Sequence, residues 1–137
     1  MKFTYPYTAT AQEPSGFFVQ FVDIEEAITE GETLEDAAFN AAEVLTAILA
    51  YRLDKGQAIP EPSATADSPV ASPSAAVQAV MILREARAGR PIADLARGLD
   101  TSWAAAQRLD DPHHWPSLKQ LDRAARVLGK RLVLSME

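Results

Sequence analysis

Residues 3–11 alternate, with Phe3, Tyr5 and Tyr7 on one side and Thr4 and Thr8 on the other. That period of two predicts a half-buried strand. The turn-forming set Gln12-Glu13-Pro14-Ser15-Gly16 separates it from Phe17–Val22, a near-continuous apolar run suited to a central strand. Ala27–Glu30 reads as a short third strand ended by Gly31. Thr33 is a good N-cap for the helix that follows, and Glu35 and Asp36 fall where the helix dipole favours negative charge. The stripe predicted to face the sheet is Leu34, Ala38, Ala41, Leu45, Ile48 and Arg52, polar only in its last turn. Lys55 and Gly56 supply the cation and the glycine that commonly end a helix. One helix across a small antiparallel sheet makes a two-layer unit.

Regular patterning then stops. Between Gln57 and Ser74 lie Pro60, Pro62, Pro69 and Pro73 among serines and alanines, so no long element fits there. Pro69–Ser72 has room for a short edge strand. Beyond it the pattern is helical: Ser74 or Ala75 to Ala88 before Gly89, then Pro91–Leu99, Ser102–Asp110, and a helix from Ser117 to Gly129. Gln120 stands three residues after Ser117, the spacing of a capping box. Arg131–Met136 alternates again, with Leu132, Leu134 and Met136 on one face of a terminal strand.

Two short helices joined by a tight turn need a small residue where they approach, which Ala96 supplies, and a turn residue that tolerates positive φ, which falls to Asp100. With Leu95, Leu99, Ala106 and Leu109 turned inward, Ser102, Trp103, Ala104, Gln107 and Arg108 point outward. Glutamine and arginine are the side chains that read adenine and guanine edges in the major groove. Thr101 and Ser102 are placed to hold the DNA backbone. Residues 75–137 thus resemble the helix-turn-helix of the Cro-repressor (XRE) type, and Pro116–Gly129 is similar to the helix that follows its recognition helix. Asp100 in place of the usual turn glycine and the small Ala106 depart from that pattern.

Residues 1–63 resemble the HicB antitoxin family. The similarity rests on Tyr5-Pro6, on Gly16–Ile24, on Ala27–Ala37 with its Gly-x-Thr helix start, and on Gly56–Ser63 with its Ile-Pro-x-Pro-Ser ending. The resemblance implies an α+β fold: a partial ribonuclease-H-like β-β-β-α(-β) domain (1–63), a Pro/Ser/Ala-rich linker (64–74), and an all-α helix-turn-helix domain with a terminal strand (75–137). It also implies an antitoxin that occludes a HicA-type mRNA-cleaving toxin and binds the operator DNA of its own operon. The alternative is a stand-alone helix-turn-helix regulator whose N-terminal domain senses another ligand or partner.

Composition sharpens this picture. The chain has 137 residues and no cysteine, which excludes disulfides, thiolate metal sites and cysteine nucleophiles. Its net charge of −6 is uneven: residues 1–63 carry three basic residues against eleven acids, and residues 64–137 carry ten against eight. An acidic half suits a basic partner, and a mildly basic half tolerates phosphate. No apolar run approaches the roughly 20 residues of a membrane helix, and the N-terminus lacks a signal-peptide layout, so a soluble cytoplasmic protein is expected. Ribonuclease-H chemistry needs carboxylates converging on two metal ions, and only Asp23 and Glu30 fall near strand ends. Asp23, Glu25, Glu26, Glu30 and Glu32 read instead as a solvated rim or toxin-facing patch, with no catalytic, metal or cofactor role expected. The adjacent His113 and His114 fit a loop near phosphate; Trp103 fits packing against a neighbour or the sugar-phosphate edge, and Trp115 fits the core. The last strand has no partner in its own helical domain, so Leu132, Leu134 and Met136 are expected to pair with a two-fold mate, giving a homodimer or higher oligomer.

Overall fold

The computed structural model describes residues 3–65 and 67–137. The chain divides into two compact units, Met1–Ala75 and Ala76–Glu137. The first contains β1 (Tyr5–Ala11), β2 (Phe17–Phe21), β3 (Ile28–Gly31), α1 (Leu34–Asp54) and β4 (Val70–Ala71). The strands form one antiparallel sheet in the order β3-β2-β1-β4. Tyr7 stands opposite Phe21 and Ala9 opposite Val19, so these side chains share the face that α1 covers. Tyr5, Tyr7, Val19 and Phe21 are buried there, with the Tyr7 and Phe21 rings 5.5 Å apart.

Two expectations shift within this unit. Phe17–Val22 is one-sided: Phe18 points to the open face of the sheet and is 40% exposed, and Val22 lies beyond the strand and is also exposed. An antiparallel sheet with one helix has only one face to bury. The buried stripe of α1 is Ala37, Ala41, Leu45, Leu49 and Leu53, leaving Leu34 and Ala38 in solvent. Gly31 explains the phase. A Cβ there would overlap the backbone of Ala37, so β3 and α1 meet at Ala37, and steps of four continue the contact.

The second unit holds α2 (Ala75–Arg87, beginning one residue earlier), α3 (Ile92–Gly98), α4 (Trp103–Arg108) and α5 (Leu118–Val127). Its core is Ala79, Leu83, Leu95, Leu109, Leu121, Ala124 and Leu128. The capping box of α5 forms as its spacing predicts: Ser117 Oγ accepts from Gln120 N at 3.0 Å, and Ser117 N donates to Gln120 Oε1 at 2.8 Å. Asp100 takes the left-handed turn conformation, with φ 52°. Ala96 is buried, and a separate close approach, of α3 to α5, falls at Gly98, where a Cβ would collide with the Val127 side chain.

Trp115, expected in the core, is 66% exposed. The leucines and alanines of α2, α3 and α5 already close the interior, and Trp115 lies in the loop ahead of α5. Residues 131–137 form no strand within the chain. A ladder needs a second strand, and all four strands of the described residues belong to the first unit's sheet. No helix among the described residues is long and apolar enough to cross a membrane.

Candidate partner and nucleic-acid interfaces

The segment after α1 is rich in proline and has little backbone ladder of its own to join. Side chains fasten it instead. Arg52 Nη1 donates to Ala58 O at 2.9 Å, and the Tyr5 hydroxyl donates to Pro60 O at 2.8 Å. Ser63 N donates to Asp23 Oδ2 at 2.8 Å, and the Ser63 hydroxyl donates to the other oxygen of the same carboxylate. Arg52 Nη2 also reaches both oxygens of Glu26, at 2.7 and 2.8 Å, and this bond holds the Glu26 carboxyl below its usual range. Burial, aided by the nearby charges of Glu61 and Asp23, pushes Tyr5 up to about 12, so its hydroxyl stays a donor near neutral pH.

The five acids singled out from the sequence therefore do not form one cluster with one task. Asp23 holds Ser63, and Glu26 holds Arg52. Glu30 accepts from Gln12 Nε2 at 3.1 Å, Glu32 accepts from Ser15 Oγ at 3.3 Å, and the Glu25 side chain is exposed. The sequence places Arg52 on the helix stripe and Ser63 at the end of the Ile-Pro-x-Pro-Ser tail but does not pair either with a carboxylate; the signal was that tail, whose missing ladder required partners elsewhere. Replacing Asp23 by alanine is expected to lower the stability of this unit by about 1 kcal/mol, two charge-assisted bonds discounted for solvent. Amide exchange at Ser63 should quicken with it. Unchanged exchange there would show that the latch contributes nothing.

In the second unit, Ser102 caps α4 by accepting from Ala105 N at 3.1 Å. Burial fixes which way the short helix rolls. Ala106 and Leu109 are buried, whereas Thr101, Ser102, Trp103, Ala104 and Arg108 are exposed and Gln107 is half-buried. Trp103 is 58% exposed, so little of the chain packs on it. The sequence leaves Arg108 free to pair with Asp110 or Asp111. Asp110 instead accepts from Arg84 Nε at 2.7 Å and lies 3.6 Å from Arg87 Nη2, while Asp111 accepts from His113 N at 2.9 Å. Among the described residues no ion pair holds Arg108. His113 is exposed and His114 half-buried in the turn after α4.

The tail divides its apolar residues. Leu132 packs against the unit's own core, whereas Val133, Leu134 and Met136 are exposed. The face drawn from the alternation thus loses Leu132 to the interior. Val133 joins the exposed set.

Residues 4–80 match the family described as "HicB_like antitoxin of bacterial toxin-antitoxin system". The chain belongs to the HicB-like antitoxin family. It is 31% identical over 135 residues to Antitoxin HicB of Escherichia coli (strain K12), covering 96% of this chain and 98% of that one. It is 28% identical over 134 residues to Antitoxin HicB 1 of Photorhabdus laumondii, covering 97% of this chain and 86% of that one. The HicB-like match spans the sheet, α1 and the latched segment, so the Asp23, Arg52 and Tyr5 contacts all lie inside it.

Proposed function

We propose that this HicB-like chain neutralises a small basic HicA-type mRNA-cleaving toxin through its first unit and represses its own operon through its second. The operator-binding face is α4 with the turn before it: Thr101 and Ser102 contact phosphates, Trp103 and Ala104 line the groove, and Gln107 and Arg108 read bases. The observation that carries this reading is the unpaired, exposed Arg108 beside Gln107 on a helix whose opposite face is buried. The first unit's excess of acids supports the toxin half, with Glu25, Glu30 and Glu32 available to a basic surface and Asp23 and Glu26 serving mainly to hold the fold. The role is that of a binding protein rather than an enzyme: of the two carboxylates near strand ends, Asp23 is committed to Ser63. A homodimer completes the reading: repressors of this shape bind paired half-sites, and the exposed Leu134 and Met136, with Val133, supply an apolar surface for a two-fold mate.

Titrating Gln107→Ala and Arg108→Ala against operator and scrambled duplexes at several salt concentrations tests the proposal. A base reader should lose about 1–3 kcal/mol on the operator and relax one position per half-site. A phosphate contact should weaken all duplexes alike and reduce the salt slope by about one. Wild-type operator affinity in both variants would remove α4 from the interface. Failure of the wild-type chain to bind or neutralise a HicA-type toxin would remove the toxin half.

A further inference from the structure

The two edges of the sheet are treated differently. On β3, Asn40 Nδ2 of α1 donates to the outward carbonyl of Glu30 at 2.8 Å, Ile28 N bonds Glu26 O at 3.1 Å, and Gly31 lies against the backbone of Ala37. The chain itself thus meets two of that edge's outward groups. On β1, the covering strand β4 has only two residues, paired with Tyr5 and Pro6. Its ladder ends where Tyr7 N donates to Pro69 O at 3.0 Å, because Pro69 has no N–H to return.

Direction along β1 follows from two bonds. Val22 N donates to Pro6 O, and Tyr7 N bonds on the opposite side, so even-numbered residues face β2 and odd-numbered ones face outward. Ala9 and Ala11 therefore point N–H and C=O groups outward, and no described residue meets them. Natural edges are usually blunted by charge, proline or a bulge. Thr8-Ala9-Thr10-Ala11 carries none of these, and its two threonines favour a strand.

We infer that β1, from the Tyr7 carbonyl to Ala11, is where the toxin adds a strand to this sheet. The inference rests on the antitoxin reading and names the surface by which that partner docks. Charge selects the occupant. A second copy would bring the same excess of eleven acids over three basic residues in residues 1–63, whereas a basic partner is attracted. Small alanines admit the incoming backbone on the α1 side, and Thr10, with Phe18 across from it, offers contact on the open face.

The test uses the full chain and a HicA-type toxin. Ala9→Pro removes the central outward donor without touching the β1–β2 ladder, and Ala9→Val retains it. Ala9→Pro is expected to weaken toxin binding at least about tenfold, Ala9→Val less than about threefold. In the wild-type protein, the Ala9 and Ala11 amides should exchange quickly when free and slowly with toxin, a readout that needs no variant to fold. Equal affinities, with unchanged exchange at Ala9 and Ala11 in the complex, overturn the edge and leave the antitoxin reading standing. Slow exchange in the free protein that deepens with its own concentration gives the edge to a second copy and also overturns it. A wild-type chain that binds no toxin overturns both.

Discussion

Replacing Gly31 by valine is expected to cost the first unit about 3 kcal/mol or more, a large share of what a domain of this size has. A Cβ at Gly31 would overlap backbone atoms of Asp36 and Ala37, which cannot rotate away as a side chain could. Relief requires β3 to part from α1 and Asn40 to release the Glu30 carbonyl, which opens the guarded edge of the sheet. Toxin binding should fall with the unit's stability, while the core around Leu95 in the second unit keeps its slow amide exchange. Separate melts of wild type and variant, followed through amides of β2 and of α5, check both halves of the expectation. A variant whose β2 amides stay as protected as in the wild type would show that β3 can move aside at little cost.

Gly31 also marks what the sequence makes legible. Thr33, Glu35 and Asp36 announce the start of α1, and its end at Lys55-Gly56 is equally plain, because caps and dipole charges are local. Its facing is not local. Leu34 and Ala38 fit a regular apolar stripe, yet the contact begins at Ala37, because it depends on where β3 passes. The same holds for Trp115, an apolar residue whose exposure follows from leucines and alanines elsewhere having filled the core. On the candidate interfaces, an outward α4 could be read from Ala106 and Leu109 alone. The acids could not: Asp23 and Ser63 lie 40 residues apart, and Glu26 and Arg52 lie 26 apart. Nothing in a local pattern distinguishes a carboxylate that holds a proline-rich strap from one that waits for a partner. Ala9 and Ala11 were hidden for a related reason, since an edge exists only relative to the strands that cover it.

The dimer carries the other large effect. Exchanging Leu134 and Met136 for glutamine keeps length and charge, and leaves Leu132 in its own core, so the second unit should fold as before. On the proposed dimer, the variant keeps only Val133 of the apolar surface that joins two copies. Each α4 then meets its half-site alone, without the effective concentration that the first contact gives the second. Avidity of this kind is worth about 10²–10⁴-fold, so operator affinity should fall by about a hundredfold or more. Toxin affinity should change little, because the proposed docking edge lies on β1 in the first unit. Light scattering gives the mass, and titration against a full operator and a single half-site gives the coupling. A monomer that binds both duplexes equally is the expected result. A variant that stays dimeric with undiminished operator affinity would place the two-fold contact elsewhere, with the exposed Trp115 and Leu118 as the next apolar surface of the same unit to replace.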